Sequence, residues 1–362
     1  MYDFANSGYT TVVITAVFNA YFVAEVAGRA PWATFAWAAA LAVSYALIVL
    51  TAPVIGAYAD AHAAKKRLLL FTTIGCVVFT AGLALVGRGD LALGITLVIL
   101  SNFFFGTGEN LVAAFLPEIA NGEAMGKVSG WGWSLGYLGG LIALGACLVY
   151  VAHAQGQGAT AAEFVPVTML ITAGIFALAS LPTFLFLRER AVPVAGAPAT
   201  LRRALARVAQ TLGNARRYAD LWRFLVCLVF YQAGIQTVIA LAAVYAQEAM
   251  GFTARDTIVL ILVVNVTAAA GAFAFGHVQD RIGHVRTLVI TLIGWLIAVV
   301  LAWMAEGAGL FWVVANLVGL CLGSSQSAGR ALVGYLSPPA RTAEFFGLWG
   351  LAVKLSAIPG PP

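Results

Sequence analysis

The chain has 362 residues, 62% of them apolar and only 10% charged, and a formal net charge of +5. Typical soluble domains carry about 25% charged residues, so this composition excludes a cytosolic metabolic enzyme, a nucleic-acid reader and a secreted disulfide scaffold. What remains is an integral membrane protein that crosses the bilayer many times.

A helix needs about 20 mostly apolar residues to cross the hydrocarbon core. That length predicts spans from Tyr2 to Val26, Phe35 to Tyr58, Leu68 to Val86, Leu91 to Leu116, Val128 to Val151 and Phe164 to Leu187. Further spans follow from Leu221 to Gln247, Thr257 to Phe275, Thr287 to Trp303 and Leu310 to Leu336, and a last apolar segment opens near Ala343. Interior glycines and prolines are tolerated there, because neighbouring helices satisfy the freed backbone groups. The opening residues lack a basic stretch and a cleavage site, so the first span is expected to act as its own insertion signal. The four cysteines, Cys76, Cys147, Cys227 and Cys321, sit singly in apolar stretches. They signal neither a zinc site nor a disulfide framework.

Lysine and arginine set the orientation. One set of alternate loops holds Lys65, Lys66, Arg67, Lys127, Arg188, Arg190, Arg202, Arg203, Arg207, Arg216, Arg217, Arg223, Arg281, Arg286, Arg330 and Arg341. The opposite set holds Arg29, Arg88 and Arg255. The basic side is therefore expected to be cytoplasmic, and the N-terminus with it.

The chain also repeats itself. Gly56, Asp60 and Lys66 follow the second span, and Gly276, Asp280 and Arg286 follow the eighth at the same spacing. Phe115-Leu116 answers Tyr335-Leu336, and Ser129-Gly130 answers Phe346-Gly347 more weakly. The expected organisation is a six-helix half over residues 1–187, a linker over 188–220 and a second half over 221–362. The repeat further predicts that the eleventh helix is cut short, with Pro359-Gly360-Pro361-Pro362 a poor continuation, and that a twelfth is absent. Within the linker, Leu201, Ala204, Leu205, Val208, Leu212 and Ala215 recur at helical spacing opposite Arg202, Arg203, Arg207, Gln210, Asn214 and Arg217. A basic amphipathic helix on the inner membrane surface fits that pattern. It either tethers the halves or only enforces topology.

The paired Gly-x3-Asp loops in a two-half bundle resemble those of the major facilitator superfamily. The second copy matches well, with Gly276, Asp280, Arg281, Gly283 and Arg286; in the first, Ala61 and Ala63 replace the expected basic residue and glycine. The resemblance implies a gating latch in which Asp60 meets the N-terminus of the eleventh helix beside basic neighbours. A topogenic loop with an ordinary cap is the alternative. The opening Tyr2-Asp3-Phe4-Ala5-Asn6-Ser7-Gly8-Tyr9 resembles the signature of the autophagy-related vacuolar effluxer-like branch. So do Phe115 to Ala120, Ser129 to Trp133, Leu135 to Gly140 and Ala343 to Leu348. That branch contains fungal vacuolar amino-acid exporters, so it implies amino acids or similar small metabolites as substrate, with export favoured.

Polar groups inside spans are costly and mark function by default. Asp3, Asn6 and Thr10 share one helix face, and the resemblance implies that the first helix of each half lines a central cavity. Tyr231, Gln232 and Gln236 on the seventh helix are the counterparts; for Asp3, simply starting the helix is the alternative. Glu109 with Asn110 lies deeper, as a proton carrier or as a structural polar partner. Gln326 and Arg330 match them in the other half, where Arg330 either meets an acidic substrate group or snorkels to the surface. Lys354 is expected to face the interior or a carboxylate. Gly132, Gly136 and Gly140 permit close helix contact, and Trp131, Trp133 and Tyr137 either stack on substrate or anchor at the interface.

The expected activity is secondary transport by alternating access, coupled to protons or another ion. Such a carrier has a small-molecule substrate, the lipid bilayer around it, no nucleic-acid partner, no cofactor, no metal and no catalytic residues, and it is expected as a monomer in a bacterial plasma membrane. A membrane-embedded enzyme is the first alternative, opposed by the scattered His62, His153, His277 and His284 and by the lack of HExxH or DxxD arrays. A transport-inactive fragment is the second. No GxxxxGK[ST] loop is present, so ATP is not expected to drive the protein directly.

Overall fold

A computed structural model of the chain describes residues 1–120, 122–193, 205–206, 208–211 and 215–356. Ten helices among the described residues are long and apolar enough to cross a membrane. They are α1 (Tyr2–Val26), α2 (Ala33–His62), α3 (Lys65–Leu85), α4 (Leu91–Ile119), α5 (Met125–Gly156), α6 (Ala161–Phe186), α7 (Ala219–Glu248), α8 (Ala254–Ile282), α9 (His284–Trp303) and α10 (Ala308–Leu336). A shorter α11 (Thr342–Leu355) follows. Every expected span is present. Most helices run several residues further than hydropathy alone suggests, because their polar ends continue past the apolar stretch into the loops. The expected amphipathic linker helix falls mostly outside the described residues, although Leu205, Ala206 and 208–211 are helical.

The outer surface is oily. Phe35, Leu50, Val149, Phe230 and Trp303 are 72–82% exposed, which is untenable in water and natural against hydrocarbon. On the face opposite the basic loops, α6 and α8 each start with a capping box, Thr160 with Glu163 and Thr253 with Asp256, closing backbone donors that a membrane edge leaves unpaired. In α1, Thr10–Ala16 and Phe22–Val26 widen into π-helical turns.

The first six spans meet the later helices along two seams, α2 on α11 and α5 on α8. Both depend on glycine. A Cβ on Gly56 would stand 2.1 Å from the Ala343 carbonyl oxygen, and one on Gly347 would stand 2.6 Å from that of Ala52. In the second seam a Cβ on Gly130 would stand 2.4 Å from the Ala272 oxygen, and one on Gly276 would stand 2.8 Å from the Gly126 oxygen. Backbone touches backbone at both crossings, the close approach that small residues permit in lipid.

Packing across the seams is concentrated at the basic face. The largest buried cluster fills the first six spans and takes from the later helices residues toward their basic ends, such as Leu221, Phe224, Leu288, Leu332, Phe345 and Phe346. At the opposite end, Ala246, Phe252, Leu260, Phe311 and Ala315 form a cluster drawn wholly from the later helices and the α7–α8 connection. Among the described residues, the two sets are thus packed together at the basic end.

The two repeated loops reverse the chain in different ways. Gly283 turns α8 into α9 at φ +95°. Ala63, at the position where the resemblance expects glycine, takes a left-handed conformation at φ 46°, ψ 52°, which costs an L-residue about 1 kcal/mol. Ala63→Gly should therefore raise stability by about 0.5–1 kcal/mol, read as a higher midpoint for thermal unfolding in detergent. An unchanged or lowered midpoint would show that the turn is not strained.

Candidate functional site

Two arrangements gather the polar side chains: a pair of latches at the basic face and a cavity between the helix sets.

In the first latch, the Asp60 carboxylate at the end of α2 accepts from the backbone N–H groups of Ala343 (3.1 Å) and Glu344 (2.9 Å) at the start of α11. These are donors that a helix N-terminus leaves open, and its dipole favours a negative charge there. Lys65 lies 3.6 Å from Asp60 and 2.5 Å from Glu118, with its side chain 1% exposed. Its ammonium also donates to Thr342 Oγ1 (2.8 Å). The basic neighbour that meets Asp60 is thus Lys65, whereas Lys66, the basic residue of the repeated spacing, donates to the Leu187 carbonyl at 2.6 Å. Glu189 accepts from the backbone of Lys65 and Lys66 and so caps α3. From the linker, Thr211 accepts from Arg341 (2.6 Å) and donates to Glu344 beneath the same helix start.

The second latch repeats the design. Asp280 at the end of α8 accepts from the backbone of Gly126 (2.8 Å) and Lys127 (2.9 Å) at the start of α5. Each carboxylate comes four residues after the glycine that lets the same two helices touch, so Gly-x3-Asp places seam and cap one helical turn apart. Arg281 and Arg286 are exposed.

The cavity, of about 160 Å³, is bordered by Glu109 and Asn110 of α4, Trp133 of α5, Gln232 and Gln236 of α7, Gln326 of α10, and Trp349, Gly350, Val353 and Lys354 of α11. Five residues expected on the pathway therefore converge: Glu109, Asn110, Gln232, Gln236 and Gln326. The cavity carries one charge of each sign, Glu109 and Lys354, and the Lys354 ammonium lies 4.8 Å from the centre of the Tyr45 ring. The Asn110 Nδ2 and Trp133 Nε1 donors are buried without hydrogen-bond partners. Such orphans are expensive in a dry interior and are what a bound solute would satisfy. Gly350 makes room, since a Cβ there would fall 2.2 Å from Asn110 Oδ1.

The remaining candidates lie elsewhere. Asp3, Asn6, Thr10, Tyr231 and Arg330 do not border this cavity. Asn6 is buried, with Oδ1 unpartnered, and Thr10 is exposed. Arg330 does not snorkel: it is 7% exposed and bonds to Asp3 at 2.9 Å. The α5 glycines seat α1, as Cβ atoms on Gly132, Gly136, Gly139 and Gly140 would strike Asp3, Ser7, Phe4 and Thr11 in turn. Sequence reasoning missed Trp349 and Gly350, whose apolar context gives no sign of a cavity wall, and left Trp133 between stacking and anchoring. Among the described residues, no group of three or more His, Cys, Asp or Glu is placed to hold a metal ion.

The family described as vacuole effluxer Atg22 like matches residues 32–126 and 121–362. The uncharacterized MFS-type transporter YxiO of Bacillus subtilis is 27% identical over 366 residues, covering 100% of this chain and 85% of that protein. Autophagy-related protein 22 of Candida glabrata is 24% identical over 165 residues, 41% of this chain and 30% of that protein. Among solved structures, the human organic anion transporter MFSD10 superposes with a TM-score of 0.74 at 13% identity, covering 99% of this chain and 90% of that one. The proton:xylose symporter XylE superposes at 0.70 with 15% identity, covering 98% and 84%. These likenesses establish the major facilitator fold.

Lys65→Met would leave Asp60 and Glu118 without their shared counter-charge and should destabilise the protein by about 3–5 kcal/mol. Adding Glu118→Gln should recover part of the loss. Thermal unfolding in detergent reads both, and a Lys65→Met variant as stable as the parent would remove the first latch as a structural element.

Proposed function

The chain belongs to the vacuole effluxer Atg22-like family, and from that membership we propose that this membrane transporter moves amino acids or similar small zwitterionic metabolites, with export favoured. One observation carries the substrate class: a cavity with a carboxylate (Glu109), an ammonium (Lys354), two unpartnered buried donors and three glutamine amides. A zwitterion offers an ammonium to Glu109 and a carboxylate to Lys354, Asn110 and Trp133, while the glutamines serve polar groups of either kind.

Transport proceeds by alternating access. Residues 1–187 and 221–362 rock about the glycine seams, with 188–220 linking them. The Asp60 and Asp280 contacts join the two helix sets at the basic face, which supports reading them as the gate that closes that side. By the distribution of Lys and Arg, the basic face is cytoplasmic and the N-terminus lies there, and the likeness to a Bacillus subtilis relative supports a bacterial plasma membrane. Glu109 is assigned the coupling ion, as the carboxyl group that borders the cavity within a span. Asn6, Thr10 and Tyr231, which do not border the cavity, are assigned to the wider solute pathway as polar residues within spans. The protein works as a monomer and needs no cofactor.

Counterflow of radiolabelled amino acids in proteoliposomes tests this directly. The wild-type protein should accumulate at least one labelled amino acid. Glu109→Gln should abolish the pH-dependence of uptake, and Lys354→Met should weaken it about tenfold, the effect of about 1.4 kcal/mol. Absence of counterflow for every amino acid would sink the substrate class, and intact pH-dependence in Glu109→Gln would remove Glu109 as the proton carrier.

A further inference from the structure

Asp3 and Arg330 stand outside the cavity, yet they make a strong polar contact across the molecule. Arg330 belongs to α10, and all three of its hydrogen bonds reach into the first six spans. It donates to Asp3 Oδ2 (2.9 Å), to Ser129 Oγ (3.1 Å) and to the Ser129 carbonyl oxygen (2.9 Å). Ser129 returns a bond to the Ser327 carbonyl on α10 at 2.9 Å. A planar guanidinium with several donors in fixed directions suits this three-way grip, which lysine could not reproduce. Gly132 leaves the space, since a Cβ there would fall 2.2 Å from Asp3 Oδ2 and 2.5 Å from Arg330 Nη2.

The same guanidinium lies over the Trp133 ring, 5.5 Å from its centre, within the range of a cation–π contact. Trp133 is one helical turn beyond Ser129 on α5 and borders the cavity. Gln326 is one turn before Arg330 on α10 and borders it as well. On each helix, therefore, the residue facing the cavity and the residue of the latch are neighbours four positions apart.

We propose that Arg330 is a positioning residue that couples cavity occupancy to opening of the basic face, with Trp133 as the relay. Trp133 Nε1 is buried without a hydrogen-bond partner. A solute that engages it pulls the indole from beneath the guanidinium, the cation loses its ring, and the grip on Asp3 and Ser129 weakens. Solute binding is thereby converted into a shift toward the state in which the basic face is open, as any ligand-driven switch requires. The solute-driven step rests on the transport function proposed above; the latch itself does not.

The test measures the distance across the basic face by electron spin resonance between labels at Glu123→Cys and Val285→Cys, both exposed sites. The native exposed Cys227 is replaced by serine, and the full chain is held in nanodiscs. Without solute, the parent should give mainly the short distance. Arg330→Gln should move most of the population to a longer one, and Asp3→Asn combined with Arg330→Gln should do the same without leaving a lone buried charge. Arg330→Lys should be intermediate. Trp133→Leu should lengthen the distance as Arg330→Gln does, whereas Tyr137→Leu, which removes a ring beside Trp133 but not beneath Arg330, should keep the parent distance. Short distances in both Arg330→Gln and the double variant would overturn the latch. A Trp133→Leu variant that stays short would overturn the relay. An equimolar mixture of the twenty amino acids should lengthen the parent distance and leave Trp133→Leu unmoved. If counterflow fails while the solute-free distances shift as stated, the substrate class falls and the Arg330 latch stands.

Discussion

The arrangement depends on two carboxylates placed at the starts of helices that belong to the other side of the molecule. Asp60 reaches the first turn of α11 and Asp280 the first turn of α5. A helix start exposes N–H groups with nothing to bond to, and near a membrane there is little water to satisfy them. A carboxylate answers that need and the local dipole together. Because donor and acceptor come from different helix sets, the satisfaction of backbone groups in one set becomes a force that holds both together.

That force acts only where the backbones can come close. Gly56 and Gly347 remove side chains from one crossing, and Gly130 and Gly276 from the other. The weak sequence echo between Ser129-Gly130 and Phe346-Gly347 acquires a physical meaning here: the two glycines are the facing contacts of equivalent seams.

Much of the fold was legible because the membrane imposes one rule, twenty or so apolar residues per crossing, and the chain obeys it. The latches were legible in part. The spacing of Gly56 and Asp60 and its copy at Gly276 and Asp280 pointed to them, but which of the neighbouring basic residues meets Asp60 was not legible, since the turn at Ala63 and the phase of α3 decide which ammonium turns inward. The cavity was legible where a polar residue interrupts an apolar run, as at Glu109, Gln232, Gln236 and Gln326. It was illegible at Trp349 and Gly350, which look like any lipid-facing or packing residue until α11 is docked. Arg330 was ambiguous for a related reason. A cation near a helix end reads as surface-bound unless its acceptor is known, and that acceptor, Asp3, is 327 positions away in the chain.

The burial of Lys65, at 1% exposure among Asp60, Glu118 and Thr342, bears on how a door of this kind can swing at all. A plug of greasy side chains would be reluctant to part, because wetting such surfaces is unfavourable. Here the apolar contacts of Leu221, Phe345 and Phe346 are joined by buried ions and hydroxyls whose hydration is strongly favourable, so water entering the gap offsets part of what those polar contacts lose. Exchanging part of an apolar seal for groups that water welcomes thereby lowers what it costs to part the two helix sets.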